Sequence, residues 1–354
     1  PGKVLKERLE ELGWKAPVLQ KITGRDPSPF YEIIRGKKRI VPASAVQLAA
    51  VFGDTPEEWL QLQMNYDLAL AKADEKERLE EYRILGTLYR LVPNLEKVEK
   101  LGWLPVTGTA RERLSFAQRL LGVSPGEEPD LSVYQGCGVP SQKADRLRVN
   151  VWWRHVLNCA DKERVKAEFQ PDQIPDYARH ELSAYGKGPE GLRYVRKSLR
   201  LQGIHVIVAP DPSAYAVDGA AFRKDGKAIV GLTLRKNDYG TVWWSLLRLV
   251  CLLTLIENDV VHLWNNESAR EELGKDESEA VALADDVHGM RELSKLAPME
   301  LGEEEIRTMA SGRDIDEEIL KHRLSGEPFF TKGLRWRRTN VEKYLVEPSD
   351  GRST

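Results

Sequence analysis

Apolar residues recur at helical spacing from the start of the chain. Leu5, Leu9 and Leu12 lie on one side of VLKERLEELG. Val18, Leu19 and Ile22 mark a second, short helix, Gly24 supplies a turn, and Phe30, Ile33 and Ile34 mark a third helix that ends at Gly36. Ser28 followed by Pro29 is a start signal for that third helix, with the hydroxyl as cap and proline at the first helical position. Ala45, Leu48, Ala49 and Phe52 continue the period. Thr55-Pro56-Glu57-Glu58 reads as a capping box that opens a helix through Trp59 and Leu62. The spacing thus predicts a five-helix domain over residues 1–70, with a helix-turn-helix at its centre.

The remaining chain reads in three further parts: a helical linker and possible dimerisation region over 71–144, an α+β domain over 145–325, and a tail over 326–354. In the first, Leu79, Tyr82, Leu85, Leu88 and Tyr89 hold helical spacing within a highly charged stretch. A helix carrying dimer contacts and one that packs on the next domain fit that pattern equally. Thr109 with Glu112 predicts a second capping box, and the Pro/Gly/Ser-rich segment 124–142 reads as a surface loop. Helical periodicity returns over 144–169, with Val151, Trp152, Val156 and Leu157 inward. The period then shortens: GIHVIVAP, VDGAAFR and AIVGLTLR are rich in β-branched residues, and Asp225-Gly226 signals a hairpin, which predicts a small antiparallel sheet. The expected class is mainly α with a small β-sheet, an α+β fold. His155 and His205 read as structural.

Composition narrows the function. Lys and Arg number 53 against 55 Asp and Glu, so no global field draws the protein to nucleic acid and any such affinity is local. Cys137, Cys159 and Cys251 are too scattered for a disulfide framework or a cysteine zinc site. The longest apolar run, Leu246–Ile256, is interrupted by Arg248 and too short to span a bilayer. With no export signal read at the start, a reducing cytoplasm is the expected location.

In a helix-turn-helix the second helix of the motif enters the major groove while nearby basic residues neutralise phosphates. Here its polar face carries Ser28, Tyr31, Glu32 and Arg35, followed by Lys37, Lys38 and Arg39, with Lys15 ahead of the motif. The competing reading is a plain helical hairpin with a solvated basic loop. PGKVLKERLEELGW, RGKKRIVP and AVQLAAVFGDTPEEWLQLQMNYDL resemble the helix-turn-helix domain of HigA-type antidote proteins within the XRE repressor group. That resemblance implies dimeric binding to double-stranded operator DNA. Pro27 and Pro29 depart from the polar residues usual in that recognition helix, and Val41 from the usual capping threonine.

GIHVIVAPDPSAYAVDGAAFRKDGKAIVGLTLRKNDYGTVWWSLLRLVCLLTL, DESEAVALADDV and EEEIRTMASGRDIDEEILKHRL resemble the ImmA/IrrE family of metallopeptidase-like domains. The resemblance implies a helix bearing His-Glu-x-x-His, in which two histidines hold zinc and the glutamate is general base. Arg248-Leu249-Val250-Cys251-Leu252 stands there instead, and Glu279 alone matches a third ligand. The expectation is a pseudo-peptidase domain with no metal, no cofactor and no catalysis. His180-Glu181 begins like the zinc motif but Ala184 replaces the second histidine. Glu257, Asp259, His262, Asp285, Asp286 and His288 offer a displaced metal site, the basis of a rival metallopeptidase reading. Another rival is an antitoxin that binds a protein toxin and represses its own operon. The favoured reading is a sequence-specific regulator, expected to be a homodimeric repressor, whose second domain senses a small-molecule or peptide effector or builds the dimer. Arg335, Trp336, Arg337 and Arg338 in the tail suggest an added nucleic-acid or partner contact.

Overall fold

The computed structural model describes residues 1–212, 217–224, 226–266, 273–292, 301–325 and 340–345. The run Arg335–Arg338 lies outside them. The chain forms two compact units, Pro1–Ile84 and Leu85–Thr354, so the first boundary falls inside the segment 71–144.

Five helices make most of the first unit: α1 (Gly2–Glu11), α2 (Ala16–Thr23), α3 (Ser28–Ile34), α4 (Pro42–Phe52) and α5 (Pro56–Asp74). Leu5, Leu9, Leu19, Phe30, Ile33, Ile40, Ala45, Leu48, Ala49 and Trp59 form one buried cluster. The helix ends follow the sequence. Gly24 takes the left-handed conformation that closes α2, and Thr55 and Glu58 make the expected reciprocal capping box on α5. Gly2 is needed where α1 meets α3, because a Cβ there would lie 2.2 Å from the Ile33 carbonyl oxygen.

Helix α6 (Lys76–Leu91) crosses the boundary, and α7 (Leu95–Lys100) and α8 (Ala110–Leu121) follow. Thr109 caps α8 with Glu112 as expected. Leu88, Val92, Val98, Ala117 and Leu121 pack with Val151 of α9 (Lys143–Lys162). The segment expected to be a surface loop contributes a short strand, β1 (Tyr134–Gln135), with Tyr134 buried. Helix α9 also stops seven residues short of the expected 169. Just past its end the Glu163 carboxylate accepts hydrogen bonds from Arg196 at 2.7 Å and Arg200 at 2.6 Å, bonds that draw the chain out of the helical path.

Next come α10 (Ile174–His180), α11 (Leu192–Leu201), β2 (Ile204–Val208), β3 (Gly219–Lys224), β4 (Lys227–Leu232), α12 (Tyr239–Leu252) and β5 (Val261–Trp264). Helices α13 (Lys275–Val287), α14 (Glu303–Gly312), α15 (Glu317–Leu324) and α16 (Glu342–Leu345) follow. Among the described residues the strands form one sheet in the order β1-β5-β3-β4-β2. The β3–β4 hairpin is antiparallel, as expected, but the sheet is mixed: β2 runs parallel to β4 and β1 parallel to β5. The fold is mainly helical with this small sheet.

Both sheet faces are buried. Ala221, Val230, Leu232 and Trp264 face the cluster that contains α12, whereas Ala220, Phe222, Ile229 and Leu263 face Trp152, Trp153 and Val156 of α9. Alternation along each strand divides the two layers. At Gly231 a Cβ would meet Trp152 at 3.1 Å, so the bulky α9 surface needs a residue without a side chain opposite it. Every residue of α12 except Arg248 is buried. The Arg223 guanidinium donates to the carbonyls of Ile256 at 3.2 Å and Leu253 at 3.4 Å, satisfying acceptors left just past the end of that helix. No helix among the described residues is long and apolar enough to cross a membrane.

Imidazoles inside this core make stability depend on pH. The Trp243 indole N–H donates to His288 Nε2 at 2.9 Å, so that nitrogen is unprotonated in the fold. Burial pushes His288 down to about 4, and burial followed by nearby Lys162 does the same to His155. Between the ordinary histidine value and about 4, the unfolded chain binds protons that the folded chain refuses, so stability falls as pH falls through that window. For His288 the loss is about 3 kcal/mol over the full window. The urea midpoint should drop between pH 7 and 5, and His288→Gln should flatten that slope; an unchanged slope in the variant contradicts the assignment.

Candidate nucleic-acid interface

Phe30 and Ile33, facing the core, fix the orientation of α3. Ser28, Tyr31, Glu32 and Arg35 lie on the opposite side, and all four are exposed. Lys15, Lys37, Lys38 and Arg39 are exposed as well. The structure thus brings the expected contact residues to one helix face and the loop that follows it, with Lys15 immediately before α2. Gly36 holds a left-handed turn. Lys37 N–H reaches the Glu32 carbonyl at 2.8 Å and Gly36 N–H reaches Ile33 at 3.0 Å, which terminates the helix in a Schellman motif.

The basic residues are not equivalent. Arg39 is ion-paired with Asp67 of α5, and Lys38 lies 3.8 Å from Glu32. Arg35, Lys37 and Lys15 have no such partner among the described residues. The charge of Arg39 is therefore partly offset by Asp67, although its side chain stays exposed. Asp67 also accepts from Gln63 Nε2 at 2.9 Å, and Gln63 Oε1 accepts the buried Ile40 N–H at 2.9 Å. Gln63 and Asp67 are not legible in the sequence as partners of this loop, because a pairing across 23 residues leaves no local pattern.

The start of α3 also differs from the expectation. Ser28 is not the cap that accepts from the helix. Its N–H and its hydroxyl both donate to Asp26 Oδ1, at 3.0 and 2.8 Å. These two bonds hold the Asp26 carboxyl below its ordinary value. The spacing Asp-x-Ser is the signal for this turn. At Val41, where threonine is the usual cap, Ser44 Oγ accepts the Val41 N–H at 2.9 Å instead.

Two curated proteins are similar to part of this chain. Virulence-associated protein I of Dichelobacter nodosus is 35% identical over 77 residues, which are 22% of this chain and 71% of that protein. The uncharacterized HTH-type transcriptional regulator YddM of Escherichia coli (strain K12) is 32% identical over 72 residues, 20% of this chain and 77% of that protein. The chain belongs to the HTH-type transcriptional regulators. Most of it lies outside either match. No protein-family profile matches the chain, and no solved structure matches it.

In the second unit of this HTH-type regulator, the positions compared with the zinc motif have distinct surroundings. Leu249 and Leu252 are buried in the apolar core. The Arg248 guanidinium lies 5.2 Å from the ring centre of Trp244 and 5.4 Å from that of Trp264, and donates to Asn266 Oδ1 at 3.3 Å. Asn266 is a polar hub. Its Nδ2 donates to Asp218 at 3.0 Å and Ser245 at 2.7 Å, its N–H donates to Asp218 at 2.8 Å, and its Oδ1 also accepts from Trp264. Glu279 is exposed on α13, whereas Glu277 and Asp285 of that helix are buried; Glu277 accepts the Cys137 N–H at 2.9 Å.

The residues of the displaced metal site are engaged separately. Asp285 forms a two-bond pair with Arg323 at 2.7 Å each, Asp286 binds Arg291, Asp259 lies 3.3 Å from Lys224, and His288 accepts from Trp243. His262 is buried in β5 and Glu257 is exposed. Among the described residues no three His, Cys, Asp or Glu side chains gather as a metal site. His180 and Glu181 are both exposed at the end of α10.

Gln63→Ala leaves the Ile40 amide buried without its acceptor. It should destabilise the first unit by about 1–3 kcal/mol and speed hydrogen exchange over residues 36–41. Unchanged exchange at Ile40 would show that the Gln63 bond does not hold this loop.

Proposed function

We propose that the chain is a sequence-specific DNA-binding transcriptional regulator, a HigA-like repressor acting as a homodimer on operator DNA. The observation that carries this reading is the exposed face of Ser28, Tyr31, Glu32 and Arg35, backed by buried Phe30 and Ile33, with Arg35 and Lys37 carrying cations unpaired among the described residues. Membership of the HTH-type regulators supports it. The third helix lies in the major groove with its leading residues at base edges, while Arg35, Lys37 and Lys15 grip phosphates. Arg39, exposed but paired with Asp67, has its charge partly offset within the fold and contributes less to phosphate grip.

The second unit, on this reading, is a zincin-like body of the ImmA/IrrE kind that serves sensing or dimerisation and performs no peptidase chemistry. Support comes from side-chain chemistry. Leucines at two of the three motif positions supply no lone pair to a metal, and a guanidinium at the first repels a cation.

Two measurements test the proposal. Arg35→Ala with Lys37→Ala should weaken binding to all duplexes and make the salt dependence shallower by about 0.9 for each phosphate that is no longer neutralised; the same salt slope in the variant would refute the assignment. Titration of the full chain with zinc should give neither stoichiometric binding nor a rise in melting temperature, whereas tight uptake of one zinc per chain would overturn the non-catalytic reading of the body.

A further inference from the structure

The leading end of α3 has an unusual hydrogen-bonding character. Pro27 and Pro29 carry no N–H. The Ser28 N–H is committed to Asp26, and the amides of Phe30 and Tyr31 are both committed to the Pro27 carbonyl, at 3.1 and 3.2 Å. No amide of the helix's first turn is left for a phosphate. The Ser28 hydroxyl has spent its single proton on Asp26 Oδ1, so toward solvent it offers only lone pairs. Asp26 Oδ2 has no partner among the described residues. The charge on Glu32, by contrast, faces Lys38. The exposed leading end of the helix therefore presents two acceptors, one of them a carboxylate with no ion pair among the described residues, with exposed Arg25 just before it, and Arg35 and Lys37 sit at the trailing end.

Resting on the DNA-binding reading above, we infer that Asp26 and Ser28 together select a cytosine in each half-site, accepting from its N4 amino group in the major groove. The choice follows from what each base edge displays there. Guanine offers two acceptors and thymine an acceptor beside a methyl group, so both oppose an acceptor pair. Adenine offers a donor but sets its N7 acceptor next to it. Cytosine alone presents a donor without an adjoining acceptor on its own edge. Asp26 is thus a specificity determinant and contributes nothing to phosphate grip, which its charge opposes.

Selection of bound duplexes from a random pool, run on the full chain and on Asp26→Asn, tests this. Asparagine can keep the turn by accepting from Ser28 through its own oxygen, and an unchanged circular dichroism spectrum and melting temperature check that the fold is retained. The wild type should enrich cytosine at one position per half-site, and replacing that base should weaken binding about tenfold or more. In Asp26→Asn the same position should shift toward adenine, whose N7 accepts from the outward Nδ2 of the new amide while Ser28 Oγ still accepts from N6, with the salt slope unaltered. Enrichment of the same base to the same degree in both proteins, or of guanine or thymine at the position that responds to the substitution, overturns the inference while leaving DNA binding intact. A wild-type chain that selects no duplex refutes the DNA-binding reading, and the inference falls with it.

Discussion

The burial of Phe30 and Ile33 beneath the third helix is the constraint on which the proposed interface depends. Fully burying side chains of that size contributes about 1.5–3 kcal/mol each, and on a helix of seven residues it leaves little rotational freedom. Ser28, Tyr31, Glu32 and Arg35 then have only one direction in which to point. The rest of the first unit maintains that constraint. Gly2 lets the first helix abut the end of the third, Gly36 ends the helix in a left-handed turn, and the Gln63–Asp67 pair clamps the basic loop behind it. A surface that reads DNA needs this rigidity, because side chains read bases only when the backbone beneath them is fixed.

The second unit rests on a different kind of interaction. Its helix α12 is apolar on all sides but one, and on that side Arg248 is held between two indoles and the Asn266 amide. Around Asn266 the polar atoms of Asp218, Ser245 and Trp264 are mutually satisfied. Such a network is costly when half-satisfied and specifies one packing arrangement when complete. It belongs to the mixed sheet as much as to the helix, since Asp218 immediately precedes β3 and Asn266 lies just past β5. That placement accounts for a charged position in the middle of a helix whose other residues are buried.

Local chemistry is readable in the sequence, and long-range pairing is not. Helical spacing and the two Thr–x–x–Glu capping boxes locate the first five helices and the start of α8, because those signals lie within one turn of each other. The core position of α12 is legible from its run of apolar residues. The sheet is legible too, but as an antiparallel one: nothing in GIHVIVAP indicates that its neighbour in the sheet is the second strand of the later hairpin, reached in parallel. Strands β1 and β5, of two and four residues, are hidden in a Gly/Pro-rich segment and beside an acidic one. At the interface the exposed face is visible in the pattern of residues. The division of labour among its charges is not: Arg39 looks the same as Lys37 in sequence, and only the fold places Asp67 opposite one and, among the described residues, no carboxylate opposite the other.

The central claim is that the third helix reads a major groove. Chemical footprinting of the full chain on a selected duplex tests it most directly, with dimethyl sulfate probing guanine N7 in the major groove and adenine N3 in the minor. The account predicts N7 protection in two blocks centred about 10–10.5 base pairs apart, or a multiple of that, with the minor-groove positions between them still reactive. Protection confined to the minor groove, or none at concentrations that shift the duplex, would contradict it.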